Sequence, residues 1–349
     1  MSGEVAFVVP GALDQRTGGY LYDRHMVEGM RALGREVGVH ELPGRFPDAD
    51  DATRDGAKRC VAATAPAAVR VVDGLALPAF ADCVAELARP WVALVHHPLC
   101  LETGLAAEDA ERLRALESGL LTQADRVLVT SRHTQGDVEA LGIAPARIGV
   151  VAPGTRKPAA APRAREAPPR RLLAVASLTA RKGFPVLIEA LGAVADQDWT
   201  LRIVGSAERD PTEARHVQRA LEGAGIAPRT QLLGELEGAA LDDAYRDADL
   251  FVLAPWHEGY GMVFAEALAH GLPVVGTSAG AVHDTVPPSA GVLVEPGDAQ
   301  ALADALREMF EDRALYDLLA RGACSAGATL PDWPASVGQF ANVLDRVMR

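Results

Sequence analysis

Two glutamates, Glu258 and Glu266, lie eight residues apart in a glycine-containing stretch that follows a short apolar run. Glu258 comes where a strand would end, and Glu266 lies in sequence with helical spacing. With Glu258 in a loop and Glu266 on a helix, the two carboxylates could hold different parts of one extended ligand. Carboxylates accept hydrogen bonds from pairs of sugar hydroxyls. Taken alone, the spacing is equally compatible with a loop charge and a solvated helical residue.

The residues between the two glutamates favour a ligand that carries phosphate. Gly259 and Gly261 allow a ligand to approach the backbone, and a helix that starts after Gly261 offers unpaired N–H groups to phosphate oxygens. Open α/β sheets bind ligands at this carboxyl end of their strands. The candidate ligand-binding residues here are Gly259, Tyr260, Gly261, Met262, Val263 and Glu266.

An adjacent pair of cations, Arg181 and Lys182, follows another apolar run. A diphosphate leaving group gains negative charge as it departs, and an arginine fork next to a lysine point charge can neutralise it. In isolation such a pair is more often a solvated basic turn. Together with the glutamate stretch, it predicts a diphosphate site.

Two histidines, His96 and His97, end the apolar run 91–95. Because successive strand side chains point to opposite faces, we expect one of them to face a ligand, and we favour His96 slightly. A purely structural role for either stays open on this pattern. Two adjacent histidines do not make a zinc site without a third ligand at suitable spacing.

Short apolar runs alternate with segments of helical period in both halves of the chain, as is typical of parallel sheets covered by helices on both faces. The first such helix is expected from Tyr20 to Leu33, entered through Thr17-Gly18-Gly19. Proline and alanine interrupt the rhythm at about 153–171, the best linker candidate. We expect an α/β protein with two doubly wound Rossmann-like domains. Their bounds are 1–155 and 156–332, followed by a C-terminal helix, 333–349, that packs back on the first domain.

Composition excludes several classes of protein. A formal net charge of −13 without a Lys/Arg run argues against a nucleic-acid partner. The N-terminus lacks the basic and apolar regions of a signal peptide, and no window approaches ~18 apolar residues. We therefore expect a cytoplasmic protein whose contact with membranes is at most peripheral. The four cysteines have no metal-like spacing.

The stretch 258–276 closely resembles the donor-site signature of family 4 retaining glycosyltransferases of the GT-B fold, E-G-[FY]-G-h-x-h-x-E-A followed by G-x-P-V-V. The next segment is similar to the family's following element, with Ala279-Gly280 and His283-Asp284 in place of the usual Gly-Gly and Pro-Glu. Upstream, residues 177–183 look like the family's loop whose basic residues hold the donor pyrophosphate.

The resemblance implies two Rossmann-like domains facing each other across a cleft, with the donor in the second domain. Gly18 and Gly19 match the family's N-terminal Gly-Gly loop, and Gly205 and Glu235-Leu236 match two further donor loops, the latter against the nucleotide base. The implied catalytic residues are Arg181, Lys182, Glu258, His96 and His97. The implied donor-binding residues are Gly18, Gly19, Gly205, Glu235, Leu236, Gly259, Tyr260, Gly261, Met262, Val263 and Glu266.

The resemblance also implies a reaction: transfer of a hexose from a nucleotide diphosphate sugar, most commonly a UDP-sugar, with retention of configuration and without a metal or other cofactor. Arg181 and Lys182 would stabilise the leaving group, while Glu258 and Glu266 orient sugar and ribose without acting as bases. A sugar, lipid or small-molecule acceptor would be read by the motif-free segments 42–53 and 99–108. The oligomeric state is not readable from these residues.

Several rival functions compete with a transferase. A sugar-nucleotide epimerase and a phosphorylase share the two-domain architecture, but a phosphorylase needs a cofactor-bearing lysine, and Lys182 is the only lysine after the linker. A dinucleotide-binding enzyme would need G-x-G-x-x-G, which is absent. A non-catalytic binding subunit would be expected to lack the donor-site charges. The epimerase is the main alternative.

Overall fold

The structure is a computed structural model that describes residues 4–65, 67–158 and 168–348. The chain divides into two compact units. Unit 1 consists of Met1–Gly154 together with Pro331–Arg349, and unit 2 is Thr155–Leu330. Residues 159–167 of the expected linker lie outside the described residues.

Strands and helices alternate along most of the chain. The strands are β1 (Val5–Pro10), β2 (Val37–Leu42), β3 (Val69–Asp73), β4 (Trp91–Val95), β5 (Arg126–Val129), β6 (Ile148–Val150), β7 (Arg171–Val175), β8 (Thr200–Val204), β9 (Thr230–Leu232), β10 (Leu250–Leu253), β11 (Val274–Thr277) and β12 (Gly291–Val294). The helices are α1 (Gly18–Ala32), α2 (Asp51–Ala63), α3 (Ala107–Leu121), α4 (Arg132–Ala140), α5 (Phe184–Ala193), α6 (Pro211–Gly223), α7 (Gly238–Asp247), α8 (Met262–Ala269), α9 (Val282–Thr285), α10 (Ala299–Glu311), α11 (Arg313–Thr329) and α12 (Trp333–Val347).

Unit 1 is built on a six-stranded parallel sheet in the order β2-β1-β3-β4-β5-β6. Strands β1, β3 and β4 are buried along their whole length. Helices cover both faces of such a sheet, which explains why these strands read as continuous apolar runs. The strand order reverses between β1 and β3, so their carboxyl ends form the point where open sheets of this type bind ligands.

The C-terminal helix α12 belongs to unit 1 and packs against α1. Its buried residues Val337, Phe340 and Leu344 join the core that contains Phe7 of β1. The helices approach closely at Gly29, where an added Cβ would lie 2.4 Å from Cγ2 of Val337. The last helix thus completes the core of the first unit.

Unit 2 repeats the architecture with a six-stranded parallel sheet in the order β12-β11-β10-β7-β8-β9. Here the order reverses between β7 and β10, which are hydrogen-bonded neighbours. The segments that follow these two strands therefore lie side by side at the carboxyl edge of the sheet. The expected α/β class with two Rossmann-like domains is confirmed. In the described part of the chain, no helix combines the length and apolar character needed to cross a membrane.

Candidate functional site

An ion cluster of Arg181, Lys182 and Glu258 occupies the point of unit 2 where the strand order reverses. Lys182 Nζ lies 2.5 Å from Glu258 Oε1, and Arg181 Nη1 lies 3.5 Å from Glu258 Oε2. Arg181 also donates a hydrogen bond of 2.8 Å to the carbonyl of His257. The two cations follow β7 and the glutamate follows β10, so the sheet brings together residues that are 76 positions apart.

The carboxyl group of Glu258 is ionised despite being buried. The residue is only 7% exposed, and burial alone would raise its pKa. The charges of Lys182 and Arg181 outweigh burial and hold the pKa of Glu258 below its ordinary value. A carboxylate stabilised in this way accepts hydrogen bonds well and is a weak base.

Glycines set the position of the loops around this cluster. Gly183 has φ +64°, and a Cβ there would lie 1.8 Å from the Ala254 carbonyl oxygen, so the loop with the two cations presses against the end of β10. Gly280 has φ +57°, and its Cβ would lie 2.3 Å from the Glu258 carbonyl oxygen. Of the pair Ala279-Gly280, only the second residue must therefore be glycine, and the buried Ala279 is accommodated.

Glu266 lies on α8, which begins directly after Gly261 with no side-chain cap. Its Oε2 accepts a hydrogen bond of 2.7 Å from the hydroxyl of Tyr245 on α7. Burial raises the pKa of Glu266, the Tyr245 hydrogen bond and the charge of Arg156 oppose this, and the charge of Asp242 adds to it. The surroundings thus lower the pKa of Glu258 and raise the pKa of Glu266.

Two other predicted donor loops also lie at the carboxyl edge of unit 2. Gly205 follows β8, and a Cβ there would lie 1.9 Å from the Ala176 carbonyl oxygen. This glycine is needed for close contact between backbones, whatever it does for a ligand. Glu235 is exposed and Leu236 partly exposed in the segment between β9 and α7.

A second polar cluster lies at the corresponding point of unit 1. His96 directly follows β4, and its Nε2 lies 2.9 Å from Asp23 Oδ1 on α1 and 3.4 Å from Asp73 Oδ2 at the end of β3. Burial disfavours a charged imidazole, but Asp23 and Asp73 outweigh it and raise the pKa of His96. The three ligand-type atoms lie within 4.8 Å of one another, a spacing that could hold a metal ion. An imidazolium hydrogen-bonded to Asp23 accounts for the same geometry.

Of the other predicted residues of unit 1, Gly19 lies beside this cluster and His97 does not. His97 lies apart from it, with Nε2 3.9 Å from Glu102 Oε2. Gly19 faces the cluster, since a Cβ there would lie 3.2 Å from His96 Cδ2. The expected start of the first helix at Tyr20 is wrong: α1 begins at Gly18, and Thr17, with extended backbone and no side-chain capping bond, holds the N-cap position. Gly18 and Gly19 therefore form its first turn.

Sequence reasoning missed three residues that contact the predicted ones: Asp23 and Asp73 pair with His96, and Tyr245 bonds Glu266. It also missed Arg156, which bonds Asp242 and whose charge acts on Glu266. Asp73 had a detectable signal, because it ends an apolar run at the carboxyl edge of a predicted strand. Asp23 and Tyr245 lie within helical segments, and no spacing links them to their partners.

Part of the chain matches a known family of proteins. Residues 169–312 match the family model described as "Glycosyl transferases group 1". The D-inositol 3-phosphate glycosyltransferase of Salinispora tropica is 32% identical over 252 residues, 63% of this chain and 51% of that protein. The mannosylfructose-phosphate synthase of Agrobacterium fabrum is 26% identical over 181 residues, 50% of this chain and 40% of that protein. The chain thus spans about half the length of the curated relatives that it matches.

Solved structures match over almost the whole chain. Sucrose-phosphate synthase from Thermosynechococcus elongatus superposes with a TM-score of 0.82 at 21% identity and covers 98% of both chains. Anabaena HepE in complex with UDP-glucose superposes with a TM-score of 0.78 at 18% identity, covering 99% of this chain and 100% of that one. At such identities the likeness establishes the fold alone, and that fold is GT-B.

Proposed function

We propose that the protein is a glycosyltransferase that transfers a hexose from a nucleotide diphosphate sugar to an acceptor with retention of configuration. The observation that carries this proposal is the cluster of Arg181, Lys182 and Glu258 beside the uncapped start of α8, in the region that matches the glycosyltransferase family model. Two cations and free helix N–H groups suit a diphosphate, and a nearby ionised carboxylate suits sugar hydroxyls.

Each group then has a task in the reaction. Arg181, Lys182 and the N–H groups of Met262 and Val263 neutralise the charge that grows on the departing diphosphate. Glu258 orients the sugar, and Glu266 orients the ribose. Because two cations keep Glu258 weakly basic, we assign it no proton transfer. On this account the diphosphate leaves without help from a metal ion.

The donor is proposed to be a UDP-sugar, which the structural relative HepE binds as UDP-glucose. The names of two relatives, D-inositol 3-phosphate glycosyltransferase and mannosylfructose-phosphate synthase, refer to small phosphorylated compounds, so a polar, small-molecule acceptor is the first class to test. The segments 42–53 and 99–108 of unit 1 remain the proposed acceptor-reading segments, and Gly18, Gly19, His96 and His97 remain proposed contacts.

The test is a thermal-shift panel with UDP-, GDP- and ADP-glucose and the matching mannose donors. A donor at 100 times its Kd should stabilise the protein by about 2.7 kcal/mol. Lys182→Ala and Glu266→Ala should each lose this shift and donor turnover. Arg313→Ala, which removes an exposed cation of unit 2 at the start of α11, should keep both.

Product analysis distinguishes the competing reactions. With the stabilising donor and no acceptor, a transferase slowly releases free nucleotide and sugar, whereas an epimerase yields an isomeric nucleotide sugar. Proton NMR of the first-formed product should show retained configuration, and turnover should persist in EDTA. Full turnover in Lys182→Ala would sink the site assignment.

A further inference from the structure

The second donor-site glutamate is held by a buried tyrosine that the sequence motifs do not include. Tyr245 is 1% exposed, and its hydroxyl donates the 2.7 Å hydrogen bond to Glu266 Oε2. In the described parts of the chain we find no hydrogen-bond donor to Glu266 Oε1. One oxygen of the carboxylate is therefore engaged by the protein, and the other remains for a ligand.

The ring of Tyr245 packs against two other rings. His270 stacks on it with ring centroids 4.9 Å apart and an interplanar angle of 19°. Phe251 of β10 stacks on it at 6.2 Å and 26°. A tyrosine packed in this way has little rotamer freedom, so its hydroxyl is already oriented before a ligand binds.

His270 also takes part in a polar network around Glu266. His270 Nδ1 lies 2.8 Å from the Glu266 carbonyl oxygen, to which it donates, and its Nε2 lies 3.5 Å from Asp242 Oδ1. Arg156 in turn donates to Asp242. The charged groups that act on Glu266 are thus Arg156, which favours its ionised form, and Asp242, which opposes it.

We infer that Tyr245 is a positioning residue for donor binding: its hydrogen bond holds the Glu266 carboxylate in the orientation in which Oε1 accepts hydroxyl groups of the nucleotide ribose. This inference rests on the proposed function, because it takes Glu266 as a donor contact. Without the hydroxyl, the carboxylate can rotate and is also harder to ionise, since a bond to its charged form is lost.

The experiment compares Tyr245→Phe with Tyr316→Phe. Both remove the hydroxyl of a buried tyrosine of unit 2, but the hydroxyl of Tyr316 donates to the carbonyl of Asp249. The probe is whichever of UDP, GDP and ADP stabilises the wild-type protein most, measured by calorimetry. We expect about tenfold weaker binding in Tyr245→Phe, which corresponds to about 1.4 kcal/mol, and less than twofold in Tyr316→Phe.

Three further readouts separate positioning from a general loosening of the fold. The acid limb of nucleotide binding should move to higher pH in Tyr245→Phe, because the pKa of Glu266 rises when the hydrogen bond is removed. With the 2′,3′-dideoxy form of the same nucleotide, wild type and Tyr245→Phe should bind equally weakly. In steady state, KM for the donor should rise while kcat changes little.

Glu266→Ala makes the possible failures distinguishable. If Glu266→Ala weakens binding and Tyr245→Phe does not, the inference about Tyr245 is wrong and the proposed function stands. If Glu266→Ala binds the nucleotide as well as wild type, or the wild type binds none of the three, the donor assignment is wrong and this inference falls with it. Equal losses in Tyr245→Phe and Tyr316→Phe would also overturn it.

Discussion

At the scale of single residues, Glu258 is stable as a carboxylate only because two cations lie against it. A buried charge whose partner is removed costs far more than the pair contributes when intact. Lys182 is the nearer partner, and its side chain is 16% exposed, so little water can replace it. Lys182 therefore has a structural task in addition to its proposed role with the donor diphosphate.

We expect Lys182→Ala to lower the free energy of unfolding by about 2 kcal/mol, less than the ~3–5 kcal/mol typical of a broken buried pair, because Arg181 remains 3.5 Å from Glu258. The double variant Lys182→Ala/Glu258→Gln should recover most of this loss, since no charge is then left unpaired. Urea unfolding at pH 7 measures both values. The folded pKa of Glu258 is depressed, so its contribution is present above its unfolded pKa and is lost as pH falls through the folded value.

A double variant that remains as unstable as Lys182→Ala would contradict this account of the ion cluster. Donor binding should stay absent in both variants, because the cation proposed to meet the diphosphate is missing from each. The two variants thereby distinguish the effect of Lys182 on stability from its effect on donor binding.

At the scale of elements, the site depends on backbone segments that approach each other more closely than side chains allow. Gly183, Gly205 and Gly280 each leave no space for a Cβ next to a carbonyl oxygen of a neighbouring segment. These contacts fix the ends of β7, β8 and β10 and hence the cations and the glutamate that follow them. The sheet is the rigid part of the site, and the close backbone contacts at the glycines hold the loops against it.

Gly183→Ala should separate the loop of Arg181 and Lys182 from the end of β10. Its φ of +64° is unfavourable for alanine, and the new Cβ would lie 1.8 Å from the Ala254 oxygen. We expect a loss of about 2–3 kcal/mol in stability together with the loss of donor binding. Gly223→Ala, at the end of α6 with nothing within 4 Å, should leave both essentially unchanged. Thermal unfolding with and without donor checks both variants, and unchanged donor affinity in Gly183→Ala would contradict the positioning argument.

The same element scale shows how far the sequence could predict this site. Motif residues such as Glu258, Gly261 and Lys182 stand in short segments after predicted strands, so parallel-sheet geometry alone brings them to one edge. Tyr245 and Asp23 reach their partners through the packing of helices on the sheet, which depends on crossing angles that residue spacing does not contain. The start of α1 was misplaced for a similar reason, since two glycines read as a loop although they occupy a helical turn.

At the scale of the whole molecule, the chain builds its two cores from different stretches. The buried apolar clusters of unit 1 draw on β1 to β6 and on α12, whereas the cluster of unit 2 lies between residues 172 and 330. The chain returns to unit 1 after Leu330. There Gly154 meets the backbone of Trp333, and an added Cβ would lie 2.3 Å from the Trp333 Cα. The last helix is thus a core element of the first unit and not an appendage.

Substitutions in the two cores should accordingly loosen different strands. Phe340 on α12 and Phe184 on α5 are both 0% exposed, and replacing either with alanine should cost about 3–5 kcal/mol. Hydrogen exchange measured by mass spectrometry shows which strands lose protection in each variant. Phe340→Ala should reduce the protection of β1 and β3 and leave β7 and β8 as in the wild type, and Phe184→Ala should do the reverse. Equal losses in both sheets from Phe340→Ala would show that the protein unfolds as one cooperative body despite its separate cores.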